Sequence, residues 1–336
     1  MAPRLQASIR SGISRHVERL LSHRLPLIDA SIGDASRLGP HASAHLPAIR
    51  SACSMAVPVL ILYAMDLTSL APWAVFGGFA ASYGRGASLA ARAGTQALVG
   101  AIVVASIAAG LAVSTTEGSA WLAVAVGSVL AAVVGAISVN LRWLPPGPLF
   151  PLVAFSVAAR AGGSISLSHF FGPVVSASSA VAFSVLIGAL IGRQRRRDQP
   201  VQRVAGRIAD APGRIGGAKY GVTAGMAGAL AISTGFNHAY WAMFSAVVPF
   251  MASGRGPQFL RAVHRVVGTL LGLLVAAGIL SVLPQHGLAP LLLVIILQAG
   301  AELFIIRHYG IAVVMITPLV LVMARPLTPS RSRFCC

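Results

Sequence analysis

The sequence is poor in charge, and above all in negative charge. Only 10% of its 336 residues are charged, and just eight of them are Asp or Glu. Soluble globular proteins carry about 25% charged residues. Apolar residues make up 56% of the chain and the mean hydropathy is +0.79. This composition argues against a soluble domain and predicts an all-α polytopic membrane protein.

Cysteines and catalytic motifs are also scarce. Of the three cysteines, one is Cys53 in an apolar segment and two are the terminal pair Cys335 and Cys336, so no C-x-x-C pair or disulfide framework exists. The sequence contains no His-Glu-x-x-His motif, Walker A loop, Rossmann fingerprint or Gly-x-Ser-x-Gly elbow. We therefore expect no catalytic residues, no metal and no cofactor, and we do not expect an enzyme.

The formal net charge is +18. The basic residues lie between apolar segments and not beside exposed aromatics on a soluble domain, which favours the lipid bilayer as partner over nucleic acid. In residues 1–50, apolar positions recur every fourth residue from Leu5 to Val17 beside several arginines. This pattern predicts a basic amphipathic helix on the membrane surface, with a transit peptide as the alternative.

Eleven apolar segments follow, six before an Arg-rich linker and five after it. The second and fifth segments of each half have only 12 to 15 residues, whereas a membrane-crossing helix needs about 20. We expect these short segments to be tilted, broken or partly re-entrant. The predicted organisation is a basic N-terminal region (1–50), a first transmembrane repeat (51–192), a cytoplasmic linker (193–217), an incomplete second repeat (218–325) and a tail (326–336).

The two halves contain similar motifs. The stretch "APWAVFGGFAASYGRG" from Ala71 parallels "AYWAMFSAVVPFMASGRG" from Ala239, so that Trp73 corresponds to Trp241. Each stretch is followed by an arginine and a Gly-Thr pair. These are Arg92, Gly94 and Thr95 in the first half, and Arg265, Gly268 and Thr269 in the second. We predict two parallel repeats of about six helices, related by an axis along the membrane normal.

The second half resembles a known family. The pattern "YWAMF", then "RVVGTLLG" and later "HYGIAVVMITPLVLV" is similar to the fusaric acid resistance (FUSC) family of bacterial inner-membrane proteins. That family resembles the aromatic carboxylic acid exporters and, more distantly, plant aluminium-activated malate channels. The resemblance is good from Lys219 to Ala324 and weaker from Arg50 to Gly192. It implies a multi-pass protein of the bacterial inner membrane that handles small organic acids.

The chain departs from the family pattern in two ways. In the first half, Gly94 and Thr95 are followed by glycine only at Gly100, so this copy of the motif is degenerate. The resemblance also implies a sixth span after "ITPLVLVMARP", where this sequence reads "LTPSRSRFCC". We therefore expect about 11 spans, with the last helix missing through truncation or supplied from elsewhere.

Charge predicts the orientation. With a cytoplasmic N-terminus and eleven crossings, Arg160 is the one cation in the predicted outside loops, and nearly all other Lys and Arg residues lie inside. The three C-terminal arginines, Arg325, Arg331 and Arg333, fall outside and break this rule.

The paired motifs supply the candidate substrate-binding residues. A cation and an aromatic surface suit an aromatic carboxylate, which makes Arg92, Arg265, Trp73 and Trp241 candidates. The alternatives are arginines that reach the headgroups and tryptophans of an interfacial belt. Thr95 and Thr269 are also substrate-binding candidates, although their hydroxyls could instead bond a preceding backbone carbonyl. The motif glycines favour close helix packing, and they are Gly94, Gly100, Gly268 and Gly272.

Glu302 is an acidic residue inside an apolar segment, which makes it a functional candidate. We predict either that its proton couples export to the proton-motive force, or that it pairs with Arg307 or Arg265 to fix helix register. Three functions follow: a proton-coupled exporter of small organic or aromatic carboxylic acids, a passive anion channel, or a non-transporting accessory subunit. The expected partners are a small anionic substrate and either a second copy of the chain or an efflux partner.

Overall fold

The computed structural model describes residues 45–84, 87–116, 119–161, 167–190, 211–236, 239–252, 254–285, 287–305 and 307–323. Every regular element in these ranges is helical, so the all-α prediction is confirmed for the described chain. The predicted amphipathic helix from Leu5 to Val17, the C-terminal tail and most of the linker lie outside the described residues.

The described residues form eleven α-helices, and each coincides with one of the apolar segments. They are α1 (His45–Ala64), α2 (Ala71–Gly78), α3 (Leu89–Ser114), α4 (Ser119–Leu141), α5 (Leu149–Ala158), α6 (Leu167–Leu190), α7 (Ala211–Ser233), α8 (Ala239–Val247), α9 (Arg255–Val282), α10 (Leu288–Phe304) and α11 (Tyr309–Met323). Five of them, namely α1, α3, α4, α6 and α9, are long and apolar enough to cross a membrane. The count of about 11 crossings stays a prediction.

Two helices begin inside regions that the sequence pattern assigned to other parts of the chain. α1 begins at His45, inside the predicted N-terminal region, and α7 begins at Ala211, inside the predicted linker. Each has a proline in its first turn, Pro47 and Pro212. Proline is favoured there because its missing N–H would have no helical partner in any case.

The halves meet most extensively where α4 packs along α7. Glycine recurs every fourth residue of α7, at Gly213, Gly217, Gly221 and Gly225. A Cβ atom at Gly221 would lie 2.8 Å from the Ala132 Cβ and 2.9 Å from the Ser128 carbonyl oxygen, both on α4. Only glycine leaves room for backbones this close, and such packing drives helix association in lipid.

A second junction joins the halves where α10 packs along α1. One apolar cluster combines residues of α1, α2 and α6 with Leu291, Val294, Leu319 and Val322 of α10 and α11. Another combines residues of α3, α4 and α5 with Tyr220, Met243 and Phe244 of α7 and α8. Each cluster thus draws on both halves of the chain.

The short helices α2 and α8 both end in a 3₁₀ turn. Phe79–Ser82 follows α2, and Pro249–Met251 follows α8. After each turn the backbone becomes extended and then passes through a glycine with positive φ, Gly84 at 73° and Gly254 at 95°. A side chain would strain this conformation. Both helices are therefore broken before the chain enters the long helices α3 and α9.

We predict that a large side chain on the glycine face of α7 separates the halves. Gly217→Leu should lower the melting temperature of the detergent-solubilised protein markedly, because its side chain would collide with the Ala132 carbonyl and the Ala136 Cβ of α4. Gly278→Leu is the matched control, since a Cβ there meets no atom within 4 Å. Equal melting temperatures for the two variants would contradict this packing.

Candidate functional site

The first broken helix leaves backbone carbonyls that the helix itself no longer satisfies. The Ala81 carbonyl accepts hydrogen bonds from Arg50 Nε at 3.0 Å and Nη2 at 2.9 Å, and from Gln96 Nε2 at 3.3 Å. Gln96 Nε2 also lies 3.3 Å from the Tyr83 carbonyl. Both donor side chains are buried. Irregular backbone at membrane depth requires such partners because lipid offers none.

The backbone carbonyls after the second broken helix, α8, also accept hydrogen bonds from side chains. The Tyr220 hydroxyl donates to the Phe250 carbonyl at 3.1 Å, and Gln258 Nε2 donates to the Ala252 carbonyl at 3.0 Å. In each half, one donor comes from the helix that precedes the broken helix, and the other comes from the long helix that follows it. The donors are Arg50 on α1 and Gln96 on α3, then Tyr220 on α7 and Gln258 on α9.

Glu302 lies beside the first break, in the junction between α10 and α1. Its side chain is only 3% exposed. The Ser82 hydroxyl donates a short hydrogen bond to its Oε1, and the Ser51 hydroxyl and Gln298 Nε2 each lie 3.5 Å from the same oxygen. We name this group, with the two donors of the first break, the Glu302 cluster. Its members are Arg50, Ser51, Ser82, Gln96, Gln298 and Glu302.

The surroundings of Glu302 suit both protonation states of a carboxyl group. Serine hydroxyls donate to an ionised carboxylate and can turn to accept from a protonated one. Apolar helices enclose the cluster, and an ionisable group in such a place is a functional candidate by default. The arrangement is therefore chemically able to hold and release a proton at the boundary between the two halves.

Arg265 and Trp241 meet at one aromatic ring in the second half. The Arg265 guanidinium carbon lies 5.8 Å from the centroid of the Phe244 ring, and Arg265 Nη2 donates to the Ser245 hydroxyl at 3.3 Å. The Trp241 and Phe244 rings are 4.9 Å apart. This half thus places a cation beside the Phe244 ring, which also contacts Trp241.

The first half arranges its equivalent residues differently. Arg92 is 5% exposed, and its Nη2 lies 3.5 Å from the Ala87 carbonyl at the start of α3. Trp73 is buried in an apolar cluster with Tyr83 and Trp143 and lies 6.3 Å from the Phe76 ring. Both residues are held inside the protein rather than at its lipid-facing surface.

The threonines of the paired motifs both bond within their own helix. Thr95 Oγ1 donates to the Ala91 carbonyl at 2.8 Å, and Thr269 Oγ1 donates to the Arg265 carbonyl at 2.6 Å. This is the intrahelical alternative that the sequence left open. Each hydroxyl therefore already donates its hydrogen within its own helix.

The four motif glycines fall into two groups. A Cβ at Gly268 would lie 2.8 Å from the Gly310 carbonyl oxygen, and one at Gly272 would lie 2.6 Å from the Thr317 Cβ, so both permit close packing of α9 on α11. Gly100 faces Val181 of α6 in the same way. Gly94 makes no such contact, because a Cβ there meets nothing within 4 Å.

Sequence reasoning missed most of the Glu302 cluster. Gln96 and Gln298 are uncharged polar residues inside apolar segments, and this signal could have singled them out. In the sequence, Arg50 counts only as one of the cations on the predicted cytoplasmic side. Its role at the break depends on α1 lying beside the end of α2, which no local pattern records.

Comparison with known proteins agrees with the resemblance read from the sequence. A family model described as fusaric acid resistance protein-like matches residues 223–332. The range includes Trp241, Arg265 and Glu302, and the described part of it covers about half of α7 and all of α8 to α11.

A curated relative matches over a similar length. The uncharacterized membrane protein YvaC of Bacillus subtilis (strain 168) is 30% identical over 109 residues, which is 32% of this chain. The match covers 17% of the YvaC sequence, so the chain spans about a sixth of that protein's length. No solved structure matches the chain. The fusaric acid resistance-like match and the apolar helices together identify a multi-pass membrane protein.

We predict that Gln96→Leu destabilises the protein although leucine is apolar and of similar size. The Ala81 and Tyr83 carbonyls would lose a buried donor, which typically costs about 1–3 kcal/mol. The thermal unfolding midpoint in lipid nanodiscs should fall. Gln258→Leu, at the half-buried equivalent in the second break, should lower it less. A midpoint unchanged by Gln96→Leu would show that the carbonyls do not depend on this side chain.

Proposed function

We propose that this protein is a secondary transporter that exports small organic or aromatic carboxylic acids across the bacterial inner membrane, driven by proton entry. The observation that carries the proposal is the buried carboxyl group of Glu302. It lies where two halves of the molecule meet, among hydroxyl donors suited to both of its protonation states.

Proton coupling requires that a proton site respond to movement of the transporter. Glu302 is on α10, whereas Ser51 and Ser82 belong to the first half. A shift of α10 against α1 would change the set of hydroxyl donors around the carboxyl group, and hydrogen bonds to its charged form stabilise that form. Protonation and the relative position of the halves are then linked.

The repeat architecture is part of the proposal. It is supported by matching contacts, since α4 packs on α7 while α10 packs on α1, and the third helix of each half packs on the fifth. The two 3₁₀ breaks with their side-chain donors follow the same order. Broken helices at corresponding positions in two repeats are typical of transport sites. We place the N-terminus in the cytoplasm on the distribution of Lys and Arg.

The substrate class is supported by the surroundings of Arg265. A guanidinium beside the Phe244 ring, which in turn contacts Trp241, offers charge to a carboxylate near aromatic side chains. Arg92 and Trp73 are the equivalent residues by sequence, but the described contacts of the first half do not repeat this cation–ring arrangement. Arg265, Phe244 and Trp241 all lie within the range that is similar to the fusaric acid resistance model.

We predict that uptake of labelled 4-hydroxybenzoate into inverted membrane vesicles requires both a pH gradient and Glu302. Glu302→Gln should abolish the gradient-driven component because an amide cannot carry the proton, and Arg265→Ala should reduce uptake at least tenfold. Asp66→Asn is the matched control. It makes the same carboxyl-to-amide change at an exposed turn with φ of 59°, which asparagine accepts.

The same assay separates the alternatives. Uptake that proceeds equally without a gradient and is unaffected by Glu302→Gln would indicate a passive anion channel. No uptake above empty vesicles, with the protein shown to be inserted, would favour an accessory subunit. Either result contradicts the proposed exporter.

A further inference from the structure

The second half contains a small cavity that no sequence motif indicated. It lies between the first part of α9, the residue that follows the second 3₁₀ turn, and the connection from α10 to α11. Its volume is about 230 Å³. The lining residues are Ala252, Pro257, Leu260, Arg261, His264, Arg307, His308 and Tyr309.

The polar part of the cavity wall is basic. Two arginines and two histidines line it, and none of its eight residues is acidic. The Arg261 guanidinium lies 4.6 Å from the centroid of the Tyr309 ring, which fixes the cation against an aromatic face. Arg261, His264, Arg307, His308 and Tyr309 are all half-buried, so a ligand in the cavity can reach them. A wall of this charge selects an anion.

The two histidines place nitrogen donors at the same wall. The His264 and His308 rings are 4.9 Å apart. His308 Nδ1 accepts the backbone N–H of Ile311 at 3.2 Å, and in the neutral ring this leaves the proton on Nε2. The same bond caps α11, whose first residue Tyr309 also lines the cavity. The partial positive charge of that helix end therefore adds to the charge of the arginines.

The size and the remaining lining narrow the ligand class. Sites for drug-sized ligands measure about 300–1,000 Å³, so this cavity fits a smaller molecule. Ala252, Pro257 and Leu260 form an apolar wall, which inorganic phosphate would leave unused. A molecule with one carboxylate and a short apolar or aromatic body matches both walls.

We propose that this cavity is a binding site for a small organic monocarboxylate, with Arg261 and Arg307 contacting the carboxylate and Pro257 and Leu260 contacting the apolar body. Its lining does not include Arg265, Trp241 or Glu302, so the site differs from the candidate residues named from the sequence. Any link between this site and export rests on the proposed function. Binding itself does not.

The test is calorimetric titration of the full chain in nanodiscs with 4-hydroxybenzoate, the uncharged analogue 4-hydroxybenzamide, and inorganic phosphate. We expect the carboxylate to bind and the amide and phosphate to bind at least tenfold more weakly. Arg261→Gln and Arg307→Gln should each weaken 4-hydroxybenzoate binding at least tenfold, because each removes a charged donor. Arg255→Gln, which removes an exposed charge from the start of α9 outside the cavity, should leave binding unchanged. Elution volume and melting temperature establish that each variant is folded.

Two results would overturn the proposal. Binding of 4-hydroxybenzoate that survives both Arg261→Gln and Arg307→Gln would place the carboxylate elsewhere. Phosphate binding as tight as 4-hydroxybenzoate binding, and lost in the same variants, would make the cavity an inorganic anion site. Vesicle uptake of the same acid distinguishes this failure from that of the proposed function. Gradient-driven uptake without cavity binding removes only the cavity, whereas cavity binding without uptake removes only the exporter.

Discussion

The close contact between α4 and α7 is the constraint on which the rest of the molecule depends. Lipid is as apolar as leucine, so burial gives little drive for two membrane helices to associate, and close packing must supply it. The glycine face of α7, from Gly213 to Gly225, lets α4 approach until backbone atoms touch. This contact joins the two halves along most of a helix. It also positions α8, which packs on α7 and brings Phe244 and Trp241 into the core with α5.

A second constraint follows from the broken helices. Each break exposes carbonyls that lipid cannot satisfy, and each half supplies side-chain donors from the two neighbouring helices. In the first half the donors Arg50 and Gln96 bond the Ala81 carbonyl, and the next residue, Ser82, bonds Glu302. The same requirement that stabilises an irregular backbone thus concentrates polar and ionisable groups at the junction of the halves. A proton carrier needs such a location.

How much the sequence predicted depends on whether a feature is local. Each of the eleven apolar segments coincides with a helix. They were predictable because a run of apolar residues is a local property of the sequence. The Thr95 and Thr269 hydrogen bonds reach only four residues back, and their possibility was visible in the sequence. The position of Gly94 was not, since its packing depends on which helix lies opposite. The Glu302 cluster and the basic cavity each combine segments far apart in the chain, so neither could be assembled from spacing alone.

The central claim is that α4 and α7 join the halves through the glycine face, and a disulfide tests it most directly. A Cβ at Gly225 would lie 3.5 Å from the Ser128 Cβ, which is within the range of about 3.5–4.5 Å that disulfides require. The measurement uses the pair Ser128→Cys and Gly225→Cys in a chain whose native cysteines are replaced by serine, with a protease site introduced between residues 193 and 210, before α7 begins. After cleavage, the account predicts that the halves stay together on a non-reducing gel and separate on reduction. Halves that separate without reduction, as expected for the control pair Ser128→Cys and Gly278→Cys, would contradict it.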